Sequence, residues 1–217
     1  MNNTIPMNEP IRGKKLMIAL NDWVNQHYIL TKLVPFTADI FVFTYPVYLV
    51  ALYLRGVNKR STYYKEAALY IFFSTASAVA VNLVIQFFTD KSRPEQSIIN
   101  KKFLLLDHIP SDPFPSDHAA VSAAIAMSTM LRGMKHKDPF FVGISVFFWI
   151  ACGLMSFSRV AVAVHRPTDI IMGIIVGALV AWIMLSKKVR RRVSRNVASH
   201  IIRAETWIFK TVFKIDQ

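Results

Sequence analysis

Five apolar runs, each close to the length that crosses a hydrocarbon core, recur along these 217 residues, at 36–54, 67–88, 119–134, 140–157 and 170–185. Lipid offers no water to satisfy peptide groups, so runs of this length read as helices that bond within themselves. The expected fold class is all-α: a polytopic membrane helix bundle with about five transmembrane helices. Composition agrees, with 53% hydrophobic residues and positive mean hydropathy. The third run is rich in Ala and Ser, which suits close packing against neighbouring helices. In the fifth, Gly173 and Gly177 stand four residues apart and serve the same purpose. The single cysteine, Cys152, lies inside the fourth run and excludes both an intrachain disulfide and a cysteine metal cluster.

The flanks differ from the spans. Residues 1–15 are polar, and no small-residue cleavage site follows an apolar region, so no cleavable signal peptide is expected. Over 16–34, Leu16, Leu20, Trp23, Val24, Tyr28, Leu30 and Val34 recur at helical spacing. Asp22, Asn25, Gln26 and Lys32 interrupt them, and the segment is too polar to span. It reads as an interfacial helix with Trp23 and Tyr28 at headgroup level. The tail after residue 186 is basic, with Val189, Val193, Val197 and Ile201 at helical spacing, and reads as an amphipathic helix on an anionic leaflet. The expected division is a polar segment and interfacial helix over 1–34, a transmembrane domain over 35–186, and a basic cytoplasmic tail over 187–217.

A net charge of +13 raises the question of nucleic acid, and the distribution of charge answers it. Sixteen of the 26 lysines and arginines fall on one side of the spans, with four acids; the other side carries ten basic and nine acidic residues. That asymmetry is the positive-inside pattern. It puts the carboxyl terminus in the cytoplasm and the amino terminus outside. The tail aromatics sit at helical spacing rather than as a stacking platform, so no nucleic-acid partner is expected.

This topology brings chemistry to one face. Lys91 and Arg93 follow the second span, Ser116, Asp117 and His118 open the third, Arg159 ends the fourth, and His165 and Asp169 lead into the fifth. All fall on the extracytoplasmic side. Arg159 is a permanent cation whose planar fork suits phosphate oxygens. His165 and Asp169 are four apart, so on a helical turn they share a face. A carboxylate beside a histidine fixes its tautomer and prepares the other ring nitrogen as a base or nucleophile. Taken singly, each stretch is equally a juxtamembrane loop with solvated charges. Their convergence on one face argues for a site.

Arg93-Pro94, then Pro115-Ser116-Asp117-His118, then Ser158-Arg159 with five residues to His165 and three more to Asp169, resembles the three-part signature of the type 2 phosphatidic acid phosphatase superfamily. That superfamily is related to the vanadium haloperoxidases. The resemblance covers roughly residues 86–169 and the surrounding helices. It implies that His165 attacks phosphorus, that Asp169 holds its other nitrogen, and that His118 protonates the leaving group. It gives Arg93, Arg159 and Ser116 to the phosphoryl oxygens, helped by backbone N–H groups at the start of the third span. It implies no metal and no other cofactor.

Two departures stand out. The family's first motif starts with a lysine seven residues before the arginine, where this chain has Gln86; Lys91 is the candidate replacement. The second motif has glycine where this chain has Asp117, a possible additional site residue. Both departures resemble the undecaprenyl-diphosphate phosphatase branch associated with bacitracin resistance. The implied activity is hydrolysis of undecaprenyl diphosphate to undecaprenyl phosphate, by a multi-pass protein of the cell inner (cytoplasmic) membrane. Phosphatidylglycerol phosphate, phosphatidate or lipid A phosphate is the alternative substrate. The expected partners are a lipid phosphate and membrane lipids, with oligomeric state open. A non-catalytic scaffold is the remaining alternative, and intact Arg159, His118, His165 and Asp169 argue against it.

The charge asymmetry predicts an orientation that labelling can check. Cysteines introduced at residues 112 and 135 should differ toward an impermeant maleimide in intact cells, only 112 reacting. Equal labelling, or the reverse, contradicts the orientation.

Overall fold

The computed structural model describes residues 11–89, 114–186, 189 and 198–212, and every element in them is an α-helix. In chain order these are α1 (Ile11–Asn25), α2 (Leu30–Asn58), α3 (Thr62–Phe88), α4 (Asp117–His136), α5 (Pro139–Ala161), α6 (Pro167–Met184) and α7 (Ser199–Val212). Four of them, α2, α3, α5 and α6, are long and apolar enough to cross a membrane. The expected third span corresponds to α4. It is less apolar because it faces protein rather than lipid: α6, α5 and α3 pack around it, and Ala119, Ala120, Ala123, Ala124 and Ala126 are all fully buried. At 20 residues it is about 30 Å long, enough for the hydrocarbon core.

The amphipathic segment expected over 16–34 is two helices. The chain leaves α1 at Asn25 and re-enters helix at Leu30, so residues 30–34 are continuous with the first span. Asn25, His27 and Tyr28 are weak helix formers, and here side chains compete for the backbone. The His27 ring bonds the Trp23 carbonyl, and Thr31 Oγ1 donates to the Tyr28 carbonyl. One face of α1 buries Met17, Asn21 and Val24 against the C-terminal end of α5 and the turn beyond it. Asn21 Nδ2 donates to the Ala161 carbonyl at 3.0 Å, which ties the helix down.

At the opposite end of the bundle, α7 is anchored by one carboxylate. Glu205 pairs with the buried Lys65 ammonium at 2.9 Å and accepts from the Tyr53 hydroxyl at 2.8 Å. The apolar stretch expected at Phe103 to Leu106, between the second and third spans, lies outside the described residues.

At two glycines, α6 approaches the backbone of α4 closely. A Cβ at Gly177 would lie 2.1 Å from the Ala120 carbonyl oxygen, and one at Gly173 would lie 2.5 Å from the Ser116 carbonyl oxygen. Both contacts are to backbone, so neither can yield by a rotamer change. The small-residue spacing in the last span is therefore a packing requirement, and it fixes the first turn of α4 against α6. Gly177→Ala should lower stability by about 1–3 kcal/mol, the usual cost of overpacking. Gly153→Ala, with nothing within 4 Å of its new Cβ, should leave the thermal midpoint unchanged. A differential melt of the two variants checks this; equal midpoints would contradict the packing account.

Candidate active site

The end of α5 determines where two of the motif side chains go. Ala163 adopts φ 59°, and its amide bonds the Val160 carbonyl while the Val164 amide bonds that of Arg159. This is a Schellman-type ending with alanine in the left-handed position usually held by glycine. The His165 amide also bonds the Arg159 carbonyl, at 3.3 Å. The chain folds back over its own last turn, so residues six apart present their side chains together. Arg159 Nη2 lies 3.3 Å from His165 Nε2, and both residues are buried. A guanidinium can only donate, so in this contact Nε2 offers its lone pair and the proton sits on Nδ1.

A group outside the motifs completes this cluster. Asp39, on α2, is 0% exposed. Its Oδ1 accepts from Arg159 Nη1 at 2.8 Å and stands 3.6 Å from His118 Nε2. Arg159 thus bridges Asp39 and His165, and His118 approaches from the start of α4. Next to Asp39 on α2, the Thr37 hydroxyl meets that of Ser158 at 2.7 Å, which clamps α2 to α5 at this level. The signal for Asp39 was present in the sequence: it is the one acidic or basic residue in the run 36–54, and charges inside spans are costly unless used.

Ser116 occupies the N-cap position of α4, but its hydroxyl caps nothing. Its backbone N–H donates to the Asp169 carbonyl at 3.0 Å, joining the starts of α4 and α6. Ser116 Oγ is buried and has no hydrogen-bond partner among the described residues. The amides of residues 117–119, in the first turn, lie ahead of the helix's own ladder. Asp169, fully buried, accepts the Arg166 backbone N–H on Oδ2 at 2.9 Å.

Asp117 turns toward α3. Its Oδ1 accepts from Asn82 Nδ2 at 2.7 Å and from Gln86 Nε2 at 3.0 Å, and both carboxamides also donate to the Pro115 carbonyl. The two departures from the family pattern are therefore one feature. Gln86, where a lysine is usual, holds Asp117, where a glycine is usual. Asn82, one turn earlier, shares the task and had no sequence signal beyond being polar in a span. Lys91 and Arg93 lie outside the described residues. Among the described residues, no group of three or more His, Cys, Asp or Glu side chains is placed to hold a metal ion.

Ser116, His118, Arg159, His165 and Asp169 thus converge at one end of the bundle, held by α4, α5 and α6, with Asp39 entering from α2. Such an arrangement can bind an anion through a guanidinium, a hydroxyl and helix-start amides, and it sets two imidazoles beside that anion.

Comparisons with known proteins bear on the family and the fold. The model of the PAP2 superfamily matches residues 67–192, from the second turn of α3 through the end of α6. The chain is 23% identical to undecaprenyl-diphosphatase BcrC of Bacillus subtilis (strain 168) over 165 residues, covering 76% of this chain and 78% of that one. Its fold is similar to the crystal structure of a transmembrane PAP2 type phosphatidylglycerolphosphate phosphatase from Bacillus subtilis, with a TM-score of 0.60 at 17% identity, over 87% of this chain and 89% of that one. With a match that spans more than half its length, and several helices able to cross a membrane, this chain is a multi-pass member of the PAP2 superfamily, a membrane lipid phosphatase family.

Proposed function

We propose that this protein hydrolyses a lipid diphosphate or monophosphate at the extracytoplasmic face of the cytoplasmic membrane, through a phosphohistidine on His165. The observation that carries this reading is the contact between Arg159 Nη2 and His165 Nε2, with His118 joined to the same arginine through Asp39. A ring nitrogen whose lone pair is turned toward a phosphate-binding cation lies where that cation would hold the phosphoryl group, which is the placement attack on phosphorus needs.

In the first step His165 Nε2 attacks phosphorus and the bond to the leaving oxygen breaks; that oxygen takes a proton from His118. Asp169, positioned at the start of α6, holds the Nδ1 proton and stabilises the charge that develops on the ring. In the second step a water attacks phosphorus, the P–N bond breaks, and the water's proton passes to His118. Inorganic phosphate leaves, and both imidazoles return to their starting states. Arg159, Arg93 and the Ser116 hydroxyl bind the phosphoryl oxygens, with the first-turn amides of α4; Lys91 supplies the charge that Gln86 does not. Asp117, held by Asn82 and Gln86, is directed away from the phosphate, which removes the difficulty of a carboxylate beside an anion.

Undecaprenyl diphosphate is the first candidate substrate, supported by the similarity to undecaprenyl-diphosphatase over three quarters of the chain. Phosphatidylglycerol phosphate is the second, supported by likeness of fold alone.

Phosphate release from a panel of lipid mono- and diphosphates tests the reading. Purified wild-type protein should release phosphate with or without chelator, and fastest from undecaprenyl diphosphate. His165→Ala should reduce turnover to background. His118→Ala should cut it by about 10²–10⁴-fold, the range for a general acid, and least for a diphosphate, whose leaving group is already good. Wild-type turnover in His165→Ala, or no release from any lipid by the wild type, would sink the proposal.

A further inference from the structure

α2 contributes no residue to the three motifs, yet it places a carboxylate at the centre of the site. We infer that Asp39 is a positioning residue for phosphoryl transfer, one oxygen of which holds both the Arg159 guanidinium and the His118 imidazole, so that the phosphate clamp and the general acid are set by the same group. The inference deepens the phosphatase reading above and rests on it.

Three observations carry it. Asp39 is fully buried in a helix able to cross a membrane, where an unused carboxylate is strongly disfavoured. Its Oδ1 is 2.8 Å from Arg159 Nη1 and 3.6 Å from His118 Nε2, so a single atom faces both groups. The other terminal nitrogen of Arg159 is the one on His165 Nε2. Moving Asp39 therefore moves the clamp, the acid and the contact to the nucleophile together.

A simpler role is that Asp39 is a counter-ion for a buried arginine and nothing more. The surroundings of His118 favour the larger role. Among the described residues, the charged groups brought to this end of the bundle are Asp39 from α2, Arg159 from α5, His165 from the following turn, Asp169 from α6 and Asp117 beside His118 on α4, while α3 presents the carboxamides of Asn82 and Gln86. Asp117 directs its Oδ1 to those carboxamides, and Asp169 accepts the Arg166 amide. Asp39 is the carboxylate aimed at His118 Nε2, the nitrogen that stands in the cluster with Arg159. A carboxylate there orients the ring that donates to a leaving oxygen.

The two roles separate by leaving group. An alkoxide leaving from a lipid monophosphate needs the His118 proton, whereas p-nitrophenolate leaving from p-nitrophenyl phosphate hardly does. Any loss through Arg159 falls on both substrates alike. With the purified full chain in detergent, Asp39→Asn should lower kcat/KM about a hundredfold on the lipid monophosphate and less than about tenfold on the aryl ester. On a His118→Ala background the same substitution should cost only the share that passes through Arg159, less than about tenfold and alike on both substrates, because the acid through which the rest acts is gone. Asp39→Glu keeps the charge and should fall between wild type and Asp39→Asn with the same substrate bias, which serves the comparison if the asparagine variant does not fold. Equal losses on the two substrates, or full additivity with His118→Ala, would reduce Asp39 to a counter-ion and overturn the inference. Wild-type behaviour of Asp39→Asn would overturn it as well, while leaving the phosphatase reading intact. A wild-type chain inactive on both substrates would take down that reading and this one with it.

Discussion

A guanidinium buried in a membrane bundle must be paired, and the arrangement around Arg159 shows what that requirement imposes. Its two terminal nitrogens reach Asp39 on α2 and His165 beyond α5. Removing one partner of such a pair leaves an uncompensated buried charge, a loss on the order of 3–5 kcal/mol. The pairing therefore ties α2 to α5 and fixes the turn after α5. That turn is itself built so that Arg159 can meet His165: the αL residue Ala163 reverses the chain, and the Arg159 carbonyl takes the amides of Val164 and His165.

The rest of the bundle holds α4 to this pair. Gly173 and Gly177 let α6 press against the α4 backbone at Ser116 and Ala120, and the Ser116 amide closes the joint on the Asp169 carbonyl. From the other side, Asn82 and Gln86 on α3 grip Asp117 and the Pro115 carbonyl. The first turn of α4 is thus bracketed by neutral polar groups on one side and bare glycine backbone on the other. Neither bracket puts a competing charge where an anion would bind. On the proposed reaction, this leaves the Ser116 hydroxyl and the first-turn amides for phosphoryl oxygens.

Much of this was legible in the sequence, for definite reasons. Bilayer-length apolar runs announce a helical membrane bundle because lipid permits little else. The spacing of Arg159, His165 and Asp169, with Ser116 and His118 at another span end, marked the cluster because span ends on one side must share a face. The Gly173–Gly177 spacing read correctly as packing because helix contacts are local and periodic. Other features were hidden by their nature. Asp39 stands out as a charge inside a span, but its partner Arg159 is 120 positions away, and no local pattern records that contact. Gln86 and Asp117 looked like two separate departures and are one hydrogen-bonded unit. The break between α1 and α2 depends on weak helix formers at Asn25, His27 and Tyr28, whose effect is decided by packing as much as by propensity. Nothing in the pattern of the basic tail singles out Glu205, which docks α7 on the buried Lys65.

The central claim is that His165 carries the phosphoryl group. Rapid acid-free quenching of the full-length protein during turnover of a lipid phosphate labelled at phosphorus, followed by peptide mapping, tests it most directly. The account requires label that is stable to alkali, labile to acid, and confined to the peptide bearing His165. Label on another residue, or turnover with no trappable phosphoenzyme even when hydrolysis of the intermediate is slowed by His118→Ala, would contradict it.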